Sequence, residues 1–171
     1  MPSDLKRYQT EGHHHFITFS CHQRQPYLTD NESRTAFEET LELVRRRHQL
    51  LVFGYVLMPE HVHLLISEPK RQALADTLRV LKGETSKRLK NHPRPFWHTR
   101  YHDFNVITAG KQVEKLRYIH RNPVERGLVE KPEDWPWSSF RHYLTGEPGR
   151  VEIESHWTFT HRERASSSHS S

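Results

Sequence analysis

The stretch from Leu50 to Ile66, LLVFGYVLMPEHVHLLI, constrains the fold more than any other part of the chain. Two apolar, β-rich runs, Leu50 to Leu57 and His61 to Ile66, are separated by Met58, Pro59 and Glu60. Proline cannot supply a ladder donor, so the runs read as two successive strands, the first interrupted by Gly54. Upstream, His15 to Cys21 (HFITFSC) alternates as a strand does. Thr29 with Glu32 has the spacing of a capping box, and Phe37, Leu41 and Val44 then recur at helical spacing up to Arg45, Arg46 and Arg47. Downstream, Leu74, Leu78, Leu81 and Leu89 mark a second helix between Pro69 and Pro93. A fourth strand fits Asp103 to Ile107, and Gly110 precedes a third helix through about His120, with Val113, Leu116 and Ile119 on its apolar line. The order predicts an α+β fold of the ferredoxin-like, split βαβ type. An antiparallel sheet has helices packed on one face, and an extra helix follows.

The chain has 171 residues, which suits one domain and is short for two. Residues 1–146 read as that domain and 147–171 as a polar C-terminal tail. The first ten residues are polar and expected to be loosely held. From Thr158 the chain is polar and ends RASSSHSS, so disorder is expected there. The net charge of +5 and pI of about 9.5 favour a polyanionic partner, nucleic acid before membrane. Cys21 is the single cysteine, which excludes an internal disulfide and a cysteine-based zinc cluster. No apolar run approaches the roughly 20 residues of a membrane span. The opening MPSDLKRYQT also lacks the apolar segment of a secretory signal. A soluble intracellular protein is expected.

Residues two apart in a strand share a face, so His61 and His63 can present two imidazoles on one side while Val62 packs on the other. Neutral imidazole is a good ligand for divalent metals, and a sheet holds the two nitrogens at a fixed separation. The bare spacing is weak evidence, because the chain has 15 histidines and His13 and His15 repeat the pattern.

The surrounding motifs add meaning. YVLMPEHVHLLI, Tyr55 to Ile66, resembles the signature of the single-tyrosine HUH transposases, in which a His-hydrophobic-His pair follows a Tyr-Val-x-Met-Pro lead-in. HFITFSCHQRQPYL, His15 to Leu28, resembles that family's first strand, and YIHRNPVERGLV, Tyr118 to Val129, its nucleophile segment. WPWSSF, Trp135 to Phe140, resembles its closing motif. Together they resemble the branch of REP-associated tyrosine transposases over roughly residues 8 to 145. Glu60 departs from the pattern, since relatives often carry a neutral polar residue there; a carboxylate could tune the metal or repel a phosphate.

The resemblance implies that Tyr118 is the nucleophile, and that Asn122, one helical turn later, completes a Mg²⁺ or Mn²⁺ site with His61 and His63. A free phenol is a weak nucleophile near neutral pH, so such a reaction needs a cation on the phosphate and an in-line geometry. The implied activity is nicking and joining of single-stranded DNA through a 5′-phosphotyrosine, with hairpin DNA as the recognised partner. It places the protein in a bacterial cytoplasm, on the nucleoid when bound. The residues leave other readings open: a hairpin-binding protein with little or no cleavage, an RNA-binding ferredoxin-like module, or a metallohydrolase in which water attacks.

Arg79, Lys82, Lys87, Arg88 and Lys90 on the second helix could contact phosphates or form a solvated face; the resemblance around Lys82 favours DNA. Trp97, Tyr101, Trp135 and Trp137 offer stacking surfaces for unpaired bases, with core packing the alternative for at least two. Relatives include domain-swapped dimers and monomers. The short segment from Asn105 to Val113 suits a helix that returns to its own sheet, hence a monomer with its tyrosine in cis.

Overall fold

The computed structural model describes residues 13–169. Its strands are β1 (His14–Cys21), β2 (Val52–Leu57), β3 (His61–Ser67) and β4 (Trp97–Val106). Its helices are α1 (Asn31–His48), α2 (Leu74–Arg88), α3 (Ala109–Glu125), α4 (Phe140–Thr145) and α5 (His156–Ser168). The sheet has the order β2-β3-β1-β4 with every neighbouring pair antiparallel, which is the expected split βαβ arrangement. The expectation for the first ten residues lies outside the described residues.

Register divides the chain's chemistry between two faces. Phe19 pairs with Val62 and Ile17 with Leu64, and these side chains join Phe37, Leu41, Leu78 and Leu81 in the larger core beneath α1 and α2. On the opposite face Ser20 pairs with His61, Thr18 with His63 and Phe16 with Leu65. There α3 covers β2 and β3 through a smaller core of Phe53, Val56, Leu65 and Ile119. α3 is thus the helix added behind the ferredoxin-like unit.

Gly54 sets how closely α3 approaches. A Cβ at this position would lie 2.5 Å from Leu116 Cδ1 and 3.2 Å from Ser139 Oγ, so only glycine leaves room for both. The WPWSSF segment then locks the contact from the side. Ser139 Oγ accepts from the Tyr55 amide at 3.0 Å and lies 2.8 Å from His120 Nε2.

Several expected boundaries move. The Thr29/Glu32 capping box does not form: Asp30 is the N-cap of α1, and Thr29 Oγ1 donates instead to the Pro26 carbonyl at 3.3 Å. β4 begins at Trp97 rather than Asp103; as an edge strand it buries only its two end residues, so its first half has no apolar alternation to read. α3 runs on through Asn122 and Pro123 to Glu125. A proline in the last turn removes a single donor, and the helix is closed by Gly127 at φ 73°. Leu128 N to Pro123 O and Gly127 N to Val124 O, both 2.9 Å, form a Schellman cap.

The first part of the stretch expected to be a polar tail outside the domain is also built into the fold, and the part from Thr158, where disorder is expected, lies in the helix α5 as far as Ser168. Val151 and Ile153 are buried, Ile153 bridges Val52, and Glu154 N donates to Val52 O at 2.8 Å. Ser155 then caps α5 through the Thr158 amide. Arg162 holds the Glu154 carboxylate with bonds of 3.1 and 2.9 Å, an anchor that hydrophobic patterning does not reveal.

Candidate active site

The two histidines of β3 meet on the face covered by α3. Both rings are buried, and their Nε2 atoms lie 3.0 Å apart. The opposite nitrogens are held: His61 Nδ1 by Glu60 Oε1 at 2.8 Å, and His63 Nδ1 by Thr18 Oγ1 at 2.8 Å. A carboxylate on Nδ1 keeps the proton there and turns the Nε2 lone pair into the site. Burial pushes the His63 imidazolium down to about 3, with His61 and Arg24 adding to the effect. Burial also lowers His61, against the opposing pull of Glu60. Both rings are therefore neutral near pH 7, the form that ligates metals.

The facing residues come from one side of α3. Tyr118, Asn122 and Arg126 follow at successive helical turns. The Tyr118 ring meets His63 edge-on with centroids 5.2 Å apart, and Phe16 at 5.9 Å. Arg126 Nη1 donates to Glu60 Oε1 at 2.6 Å. Burial alone would raise the Glu60 carboxyl, but Arg126 and His61 hold it below the usual carboxylate range. Asn122 stands between these two contacts on the same helical line and is buried. The structure thus brings Tyr118 against the His61/His63 pair and sets Asn122 one turn further along the same helix, and Tyr118 keeps 45% of its surface exposed.

Two nitrogens bound to one cation at about 2.1 Å and a right angle would stand about 3 Å apart. The spacing of His61 Nε2 and His63 Nε2 matches that, and the nitrogen and amide-oxygen donor set suits a divalent ion of intermediate hardness. The residues fit a metal.

The residues expected on the DNA fare differently. Arg79, Lys82, Lys87 and Arg88 lie on α2 and Lys90 just beyond it, behind the sheet from Tyr118. Arg79 pairs with Asp76 at 3.1 Å and Arg88 reaches Glu39 at 3.5 Å. Lys82 Nζ donates to the His98 carbonyl at 2.6 Å, and burial lowers its ammonium. Lys87 and Lys90 are exposed. Trp97 does not offer a stacking face: it is buried edge-on against Phe19 and Phe37, and its Nε1 donates to Lys82 O at 3.0 Å. Trp135 is likewise buried, with Nε1 bonded to Leu57 O at 3.0 Å.

Sequence reasoning passed over several neighbours of the site. Thr18 and Arg126 are joined to it only by the fold. Phe104, 44% exposed on β4, lies under Lys115 Nζ at 4.4 Å, and the same ammonium stands 5.1 Å from the Phe16 ring. The spacing of Lys115 and Tyr118 on one helix was the available signal.

Comparison with known proteins agrees with the geometry. Residues 8–122 match the model of the family described as "Transposase IS200 like". A Haemophilus influenzae protein assigned as a REP-associated tyrosine transposase is 29% identical over 161 residues, covering 85% of this chain and 89% of that one. The REP-associated tyrosine transposase of Escherichia coli K12 is 25% identical over 141 residues, covering 81% and 82%. Among solved structures, a REP-associated tyrosine transposase bound to a REP hairpin superposes with a TM-score of 0.69 at 22% identity. It covers 83% of this chain and 86% of that one, and shares the fold. The chain belongs to the IS200-like transposase family, in the branch of the REP-associated tyrosine transposases.

Proposed function

We propose that the protein is a metal-dependent single-strand DNA endonuclease and strand transferase that recognises hairpin DNA. The observation that carries this reading is the contact of a half-exposed Tyr118 ring with His63, whose Nε2 faces that of His61. His61, His63 and Asn122 would hold Mg²⁺ or Mn²⁺. Such an ion withdraws charge from phosphate oxygens and orients them.

The chain's own residues do the rest. Glu60 and Thr18 orient the two imidazoles, and α3 carries the phenol to the phosphate. The Tyr118 oxygen forms a bond to phosphorus as the bond to the 3′ oxygen breaks. The phenolic proton is lost to solvent and the departing 3′ oxygen gains one. The products are a 5′-phosphotyrosine and a 3′-hydroxyl, and attack by another 3′-hydroxyl reverses the step. One phosphodiester is exchanged for another, so no nucleotide cofactor is required. The hairpin bound by the solved relative supports a hairpin partner here. Tyr118 meets His63 of its own chain, which supports a cis site and a monomer. Among the described residues no helix is long and apolar enough to cross a membrane, and a reaction on DNA would take place in the bacterial cytoplasm.

Incubation of the protein and its Tyr118→Phe variant with labelled hairpin DNA carrying a single-stranded flank, in Mn²⁺, tests this on a denaturing gel. A slow-migrating covalent adduct from the wild type alone is expected. Cleavage that survives the substitution overturns the tyrosine mechanism; specific binding with no adduct favours a hairpin-binding protein without cleavage.

A further inference from the structure

A cavity of about 830 Å³ opens between the C-terminal half of α1, the α4–α5 connection and α5, a size typical of small-ligand sites. None of His61, His63, Tyr118 or Asn122 lines it. Its most prominent apolar surface is Trp157, 50% exposed. That ring is held in place from one side by Gly146, at φ 78°, where a Cβ would lie 2.9 Å from two indole carbons. One side of a bulky ring thus rests on backbone while half of the residue stays exposed, although leaving so much indole in water is unfavourable.

The walls carry an excess of positive charge. Arg45, Arg46, Arg150 and Arg164 line the cavity against the two carboxylates Glu42 and Glu152. Those carboxylates are already engaged: Glu42 takes bonds of 2.7 and 2.9 Å from Arg45 and Arg46, and Arg45 reaches Glu152 at 2.9 Å. Arg164 makes no ion pair with another described residue, and Arg46 keeps 70% of its side chain exposed. His156 and His161 stand in the same lining. An exposed indole beside guanidinium groups with spare donors suits a ligand that is flat at one end and anionic at the other.

We propose that this cavity is a second nucleic-acid site, separate from the phenol and the histidine pair. It takes a short stretch of single-stranded DNA, with a base stacked on Trp157 and the adjoining phosphates on Arg46 and Arg164. The choice of a DNA strand rests on the function proposed above; the indole and the charge excess do not. Binding here requires neither metal nor Tyr118.

The test is fluorescence anisotropy of labelled octathymidylate with the full chain in EDTA, so that no strand cleavage enters the measurement. Trp157→Ala is expected to weaken binding about tenfold, and Trp157→Phe to retain most of it, as stacking predicts. Arg164→Ala, an exposed change that leaves the core untouched, should lower the slope of log K against log salt by about 0.7. Wild-type binding by both Trp157→Ala and Arg164→Ala overturns the proposal. So does thymidine monophosphate binding as tightly as the octamer with the same dependence on Trp157, which would make the cavity a free-nucleotide site. Covalent adduct formation by Trp157→Ala at saturating hairpin DNA, read on a gel, reports separately on the Tyr118 mechanism.

Discussion

Arg126 Nη1 and His61 Nδ1 share one acceptor, Glu60 Oε1, at 2.6 and 2.8 Å. A single carboxylate oxygen therefore ties the end of the helix that carries Tyr118 to the first imidazole of the candidate metal pair. Glu60→Gln should lower Mn²⁺ affinity by about tenfold in isothermal titration calorimetry, because the amide no longer fixes the His61 tautomer. Arg126→Ala should have a smaller effect on the metal and a larger one on adduct yield. Tighter DNA binding by Glu60→Gln with unchanged Mn²⁺ affinity would instead mark the carboxylate as a group that repels phosphate.

The two rings are ligands only if they act together. Mn²⁺ should raise the thermal midpoint of the wild-type protein, since an ion that binds only the folded state stabilises it. His63→Ala and His61→Ala should each abolish that rise while leaving the metal-free midpoint within a few degrees. A shift that persists in both variants would place the ion elsewhere.

Gly54 admits Leu116 to the surface of β2. Gly54→Ala should cost about 1–3 kcal/mol in urea denaturation, the usual range for overpacking, and should reduce adduct formation by displacing α3. Adding Leu116→Ala should recover part of both, because the two side chains would compete for one space. Strict additivity of the two losses would show that the close approach is not what Gly54 is for.

His120 gives the fold a dependence on pH. Burial pushes its imidazolium down to about 4, against an ordinary value of 6.5. Between those values the unfolded chain binds a proton that the folded chain does not, so stability rises with pH through this window. The contribution is complete above about pH 6.5 and lost as pH falls towards 4, up to about 3 kcal/mol in all. His120→Gln should flatten the fall in the urea midpoint between pH 7 and 5. The readout is that slope, because His61 and His63 shift in the same direction and the variant lowers stability at every pH. An unchanged slope would remove His120 from the account.

Much of this molecule is legible in its sequence. The strand order and the shared face of His61 and His63 follow from a period of two, and the shared face of Tyr118 and Asn122 from the helical turn. Local signals failed where the helix began one residue later than the motif suggested, as when Asp30 rather than Thr29 took the N-cap position of α1. Patterning failed where little surface is buried: β4 is mostly exposed, and α5 has no apolar stripe. Residue type alone does not sort the aromatics, since Trp97 lies in the core while Trp157 stands half exposed. The Glu60–Arg126 contact spans 66 residues, and no window along the chain connects the two.

The outer edge of β2 is covered by two later stretches of chain. Leu57 N donates to Trp137 O at 2.9 Å and Glu154 N to Val52 O at 2.8 Å, so both ends of the strand are occupied. Removing everything after Gly146 would unseal one of them. The bared amides and carbonyls could then pair with a second molecule, and shortened chains should collect into insoluble material while any that remain monomeric keep their chemistry. The last segment would then matter first as a guard against aggregation during synthesis, before any DNA is met.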